Sequence, residues 1–175
     1  MRHSWVGATA YGTAARGSSK RIGVPDAGPT GFPAAPRVRA VHHGGMEHLD
    51  DPADAATAAQ WHFSHVVRSR GLLFCSGVMG TREDGSVDAD PGTQLERAFV
   101  RLAETLATAG ADVSHLVEMT SYHVGLQQHL ATFAAVRDRH LAAPYPAWSA
   151  IGVVELAVPG ALVEIRAVAE DPQDG

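Results

Sequence analysis

From about residue 58 the apolar and polar positions fall into short regular periods that continue almost to the end of the chain. "WHFSHVV" (61–67) sets Trp61, Phe63, His65 and Val67 on one side of a period of two, with His62, Ser64 and Val66 on the other, and so predicts a strand. "GLLFCSGVMG" (71–80) is a nearly continuous apolar run entered and left through glycine, the pattern of a buried strand. "TREDGSVDAD" follows, with Asp84-Gly85 as turn chemistry. The period then lengthens. Asp90 stands where a helix N-cap belongs and Pro91 at the first helical position; Leu95, Phe99, Leu102 and Leu106 recur on one face, and Gly110 supplies a left-handed stop.

"LVEMTSYHVG" (116–125) predicts a further strand. "LQQHLATFAAVRDRHLAA" (126–143) predicts a second amphipathic helix, with Leu130, Phe133, Val136, Arg137, His140 and Leu141 at intervals of three and four and with Pro144 and Pro146 ending it. "AWSAIGVVEL" (147–156) and "ALVEIRAVAE" (161–170) predict two last strands joined by "AVPG". The expected order is β-β-α-β-α-β-β. Two helices on one side of a largely antiparallel sheet make an α+β layer, and no segment repeats.

The first 45 residues have no such period. They are rich in Gly, Pro, Ala, Arg and Ser, carry Asp26 as their one acid, and show neither the apolar core of a secretory signal nor a clear amphipathic helix. We expect 1–45 to be a disordered extension or sequence upstream of the true start, for which Met46 is the candidate, and 46–175 to be the folded domain, with its core over 61–170. The length of 175 residues suits one domain. A formal net charge of −5 gives no basic footprint for nucleic acid, and no run of 18 apolar residues predicts a membrane span. Cys75, the single cysteine, excludes an intrachain disulfide and suits a reducing cytoplasm.

Four segments, "FSHVVRSRGLLFCSGVMG", "LERAFVRLAETLATAGADVSHLVEMTSYHV", "PYPAWSAIGV" and "GALVEIRAVA", resemble the Rid family, also called the YjgF-type or reactive-intermediate deaminases. The likeness covers residues 61 to about 170. It implies a chorismate-mutase-like fold, a homotrimer, and ligand clefts at the subunit interfaces. It also implies hydrolysis of enamines and imines to 2-oxo acids and ammonia, with an arginine clamping the substrate carboxylate. Trp148 stands at the arginine's position and Ala150 two residues beyond it. The glutamate that serves the hydrolytic water persists as Glu164. Phe63 replaces an aromatic hydroxyl, Ser64 after it remains, and the backbone at Ser76-Gly77, which lines the family's cleft, is retained. "SGVMGTREDG", "TSYH" and "PYPAWSAIGV" resemble the YjgH-like members, a subgroup without the arginine.

These residues carry alternatives. Glu164 is either a general base in a desolvated cleft or half of an ion pair with Arg166 or Arg68. Trp148 is either a stacking platform for a planar ligand or interface packing. His123, and less so His65, is either an acid-base group or an ordinary strand histidine. Tyr145 either donates its phenol to a ligand or packs at an interface, and Cys75 suits a buried structural role. The chain has no HExxH, no paired cysteines, no GxGxxG and no Walker motif, so neither a metal nor an organic cofactor is expected. Three functions remain open: a deaminase-type hydrolase of reactive imines or enamines, turned away from free 2-imino acids by Trp148; a tailoring enzyme running a condensation or cyclisation; and a non-catalytic binder of small metabolites. The family's older endoribonuclease label is disfavoured by the acidic charge and the lack of a Lys/Arg stripe.

Overall fold

The computed structural model describes residues 39–174. Within them lie seven strands: β1 (Arg39–His43), β2 (Met46–Asp50), β3 (Val66–Ser69), β4 (Leu72–Met79), β5 (Leu116–Val124), β6 (Ala147–Val153) and β7 (Val163–Glu170). They form one sheet in the order β1-β2-β3-β4-β7-β5-β6. Every pairing is antiparallel except β5 with β6. That exception follows from the connection, since a parallel neighbour needs a crossover and a helix supplies it here. The helices are α1 (Ala55–Trp61), α2 (Pro91–Ala107) and α3 (Leu126–His140), the last being the crossover.

α2 starts and ends as its sequence dictates. The Asp90 carboxylate accepts the Thr93 backbone N–H at 2.7 Å, and Gly110 adopts φ of +79° just beyond the last turn. Leu95, Phe99, Leu102 and Leu106 are all fully buried where α2 packs on β4 and β7. Each such side chain contributes roughly 1.5–3 kcal/mol by leaving water. β7 beneath them alternates strictly: Val163, Ile165, Ala167 and Ala169 are buried, while Glu164, Arg166, Val168 and Glu170 point to the other face, which no helix covers among the described residues.

Three expectations need correction. Residues 61–65 are not strand. The alanine-rich run before them carries α1 through Trp61, His62 closes it in the left-handed conformation at φ of +56°, and pairing begins only at Val66. Alanine favours helix strongly, and the alternation over 61–65 had no neighbouring strand to pair with. The last part of the stretch expected to lack structure also folds: β1 forms a hairpin on β2 through Gly44 and Gly45, both at positive φ. Val41 is half exposed there, so backbone pairing rather than burial holds β1, and burial is what a hydrophobic pattern records. The rest of that stretch lies outside the described residues. Finally, β6 ends at Val153 instead of reaching Leu156, because its partner β5 turns away at Gly125 and leaves Val154 95% exposed.

Candidate functional site

Glu164 lies on the uncovered face, directly opposite Tyr122 of β5 and Met79 of β4. Its side chain is half-buried and has no hydrogen bond or ion pair among the described residues. Burial raises its pKa above the usual carboxylate value. The ion-pair alternative fails on both counts. Arg166 turns to Glu118, 3.8 Å away, and Arg68 is held by Glu47, by Asp171 at 2.7 Å and by the Ala109 carbonyl at 2.8 Å. Glu164 rests over a bulge in β4, where the register shifts between Cys75 and Val78. A Cβ on Gly77 would overlap the Glu164 carboxyl, so the glycine makes the space the carboxyl occupies. Ser76, next in the bulge, donates its hydroxyl to the Ser64 carbonyl at 2.7 Å. The Ser64 hydroxyl sits 3.1 Å from His48 Nδ1. Phe63 is exposed and its ring meets His65 edge-on at 5.2 Å.

The other candidates face the helices. His123 is fully buried, with its ring edge-on to Phe133 at 4.7 Å. Its Nε2 is 2.9 Å from the Ser121 hydroxyl, which also accepts the Trp148 indole N–H at 2.9 Å and lies 3.4 Å from the Ser149 carbonyl. With the proton assigned to His123 Nε2, Ser121 accepts twice and donates to Ser149. His123 Nδ1 has no hydrogen-bond partner among the described residues, and burial first, then His129, lowers the pKa and so favours the neutral ring. His65 is likewise buried, between the carboxylates of Asp50 at 3.6 Å and Asp54 at 3.3 Å.

Trp148 pairs with Met119 in the β5–β6 register, and Ala150 with Ser121, so both share the helix-covered face with His123. The indole is partly buried. Phe133 stacks on it at 5.8 Å, and the Arg137 guanidinium lies over the ring at 4.4 Å. With its N–H also engaged, Trp148 offers a ligand little beyond the part of its ring that lines a cavity. That cavity, about 290 Å³ under α3, is bounded by Trp148, Met119, Leu141, Pro146 and Tyr145 as well as Arg137 and Asp138. Tyr145 is mostly exposed at its mouth. Glu164 and Trp148 therefore stand on opposite faces with β5 between them, and one chain does not bring them into one cleft. Sequence reasoning missed the Arg137–Trp148 stack. The signal was present, since Phe133 and Arg137 are one turn apart on the same face of α3. In the sequence it reads as helix amphipathicity alone.

Among the described residues, no group of three His, Cys, Asp or Glu is arranged to hold a metal ion, and no helix is long and apolar enough to cross a membrane. Cys75 is buried, and that burial pushes its thiol up to about 12, which keeps it from acting as a nucleophile.

A mixed sheet with helices on one face and an unpaired carboxyl on the other defines an α+β protein of the YjgF type. The family model described as endoribonuclease L-PSP matches residues 53–171, and the chain belongs to that family, the Rid family. It is 37% identical over 116 residues to the RutC family protein YjgH of Escherichia coli (strain K12), covering 66% of this chain and 87% of that one. The solved YjgH structure superposes with a TM-score of 0.62 at 37% identity, over 66% of this chain and 88% of the other. Reactive Intermediate Deaminase A, chloroplastic, of Arabidopsis thaliana is 31% identical over 121 residues, 66% of this chain and 62% of that protein. Rv2704 of Mycobacterium tuberculosis, at 23% identity and a TM-score of 0.62 over 71% of this chain and 98% of its own, shares the fold.

Proposed function

We propose that the protein is a deaminase-type hydrolase of reactive imines or enamines, working at Glu164 in a cleft completed by a second copy within a homotrimer. The observation that carries this reading is the Glu164 carboxyl: half-buried, without a partner among the described residues, raised in pKa, and seated over a glycine bulge on the uncovered face. An unpaired carboxyl held partly out of water keeps its proton more readily than a free one, which suits it to pass a proton to and from a substrate. For an enamine, protonated Glu164 gives its proton to the β-carbon and an iminium forms. The carboxylate then takes a proton from water as the water oxygen bonds to the iminium carbon. Returning that proton to nitrogen makes it a leaving group; the C–N bond then breaks and ammonia leaves as the carbinolamine hydroxyl gives its proton to the Glu164 carboxylate and the carbonyl closes, which restores protonated Glu164.

Position 148 narrows the substrate. The partly buried indole cannot make the two parallel hydrogen bonds that guanidinium gives a carboxylate. Free 2-imino acids, whose carboxylate adjoins the reacting carbon, are thus poor substrates, and imines lacking that group are preferred. A metabolite is the expected partner and a reducing cytoplasm the compartment that suits Cys75. A non-catalytic binder is the second reading, favoured by the absence of a phenol at Phe63. Ammonia release from imines generated in solution, with and without the adjacent carboxylate, separates the two. Wild type should turn over the uncharged imine and Glu164→Gln should do so about 10²-fold more slowly. Equal rates in both proteins would remove Glu164 from the chemistry, and brisk turnover of the carboxylated imine would remove the restriction drawn from Trp148.

A further inference from the structure

We propose that the cavity between α3 and the start of β6 is a recognition subsite for an acid group carried on an aromatic or apolar body, with Arg137 as the residue that reads the acid. As a substrate subsite this rests on the imine-hydrolase reading; as a ligand site it stands on its own geometry. The cavity of about 290 Å³ is the size of a small ring-bearing molecule, with Met119, Leu141 and Pro146 as apolar walls. Its charged group is unusual in how it is held. The Arg137 guanidinium sits over the Trp148 ring, 4.4 Å from its centroid, and Phe133 stacks on the same indole. That contact restrains the guanidinium while leaving N–H groups for hydrogen bonds, so less freedom is lost when an anion arrives.

One edge is taken. Nε and Nη2 donate to a single oxygen of Asp138, at 3.1 and 2.8 Å, but Asp138 is mostly exposed, and an exposed pair of sequence neighbours is a weak, water-screened one. Nη1 has no hydrogen bond among the described residues. Tyr145, at the mouth, carries a phenol that likewise has no partner among them. A restrained guanidinium and a phenol above apolar walls suit a carboxylate at the end of a flat hydrocarbon group. The acid is read from α3, not from position 148. Preferred substrates would then carry it remote from the imine carbon, which Trp148 alone does not require.

The test is calorimetric titration of the full chain with phenylacetate, its neutral amide and acetate. Phenylacetate should bind with a dissociation constant of about 1 mM or tighter, at least tenfold more tightly than either the amide or acetate. Arg137→Gln should weaken it about tenfold or more while keeping a cooperative melt, lowered only by loss of the stack on Trp148; Arg137→Lys, which keeps charge but not the fork, should recover part of the loss in affinity. Glu164→Gln should bind phenylacetate as wild type does. No heat from phenylacetate, equal binding of acid and amide, or equal binding by wild type and Arg137→Gln would each overturn the proposal. If Arg137-dependent binding is found without any imine turnover, the ligand site stands and the hydrolase reading falls. The converse result removes the subsite alone.

Discussion

At the residue scale, two groups with opposite pKa shifts give the protein a testable pH profile. Burial raises the Glu164 pKa above its ordinary 4.5, so the folded state holds that proton more tightly than the unfolded chain does. The resulting stability is present below 4.5 and is lost as pH rises through the higher folded value. Melting temperatures of Glu164→Gln and wild type should therefore agree in mild acid and separate toward neutrality, the glutamine protein becoming the more stable. His123 runs the other way. Burial, then His129, lowers its pKa below 6.5, so stability is present above 6.5 and drains away as pH falls toward the folded value. Melts at several pH values should show that acid-side slope in wild type and not in His123→Gln, which is less stable throughout because Phe133 and Ser121 lose their partner.

At the scale of elements, two glycines of the same strand region separate a functional constraint from a structural one. A Cβ at Gly77 runs into the Glu164 side chain from its carboxyl to its Cγ, whereas a Cβ at Gly80 meets the backbone carbonyl of Gln94 in the first turns of α2. The first obstacle can turn aside; the second is part of a helix docked by five buried apolar residues. Gly77→Ala should melt near wild type yet lose hydrolysis, because its carboxyl is displaced. Gly80→Ala should lose about 1–3 kcal/mol or more, since α2 must shift off β4 to make room. Denaturant melts and a turnover assay on both variants decide this, and a folded, fully active Gly77→Ala would detach the bulge from the proposed chemistry. Along the same helix, Leu102→Ala should cost about 2–5 kcal/mol by leaving a cavity beneath it.

At the scale of the whole molecule, the uncovered sheet face and the separation of Glu164 from Trp148 make the same demand. If residues on opposite faces are to share a cleft, they must come from different copies. Light scattering should give about 55 kDa, three times 18.4 kDa. A monomer at assay concentrations would leave the cleft unmade. The hairpin of β1 on β2 bears on the chain's first segment. Leu49 of β2 is buried, but Val41 of β1 is half exposed, so β1 adds a ladder of hydrogen bonds and little burial. A chain starting at Met46 should therefore fold and assemble, with a melting temperature within about 5 °C of the full chain, on the order of 1 kcal/mol at this size.

Wherever one residue's burial is set by its own element's period, the sequence alone was enough. The stripe of α2, the Asp90 cap, the alternation of β7 and the strands β4 and β5 were all legible, because a helix or strand buries one face and the apolar residues record it. So was the family, through motifs spread along the patterned region. Elements held by backbone pairing or by intrinsic propensity left weaker traces: neither β1 nor α1 was foreseen, and the strand expected from Trp61 begins only at Val66. The tertiary structure alone decided which candidates stand together. Glu164 and His123 differ by the parity of their places on paired strands, which sends one carboxyl to the uncovered face and one imidazole under α3. Trp148 is covered in part because α3, the crossover from β5 to β6, lays both Phe133 and Arg137 against its ring. Neither arrangement can be read from spacing, because contacts between distant segments depend on strand register and helix placement, and a one-residue change in register turns every side chain to the opposite face.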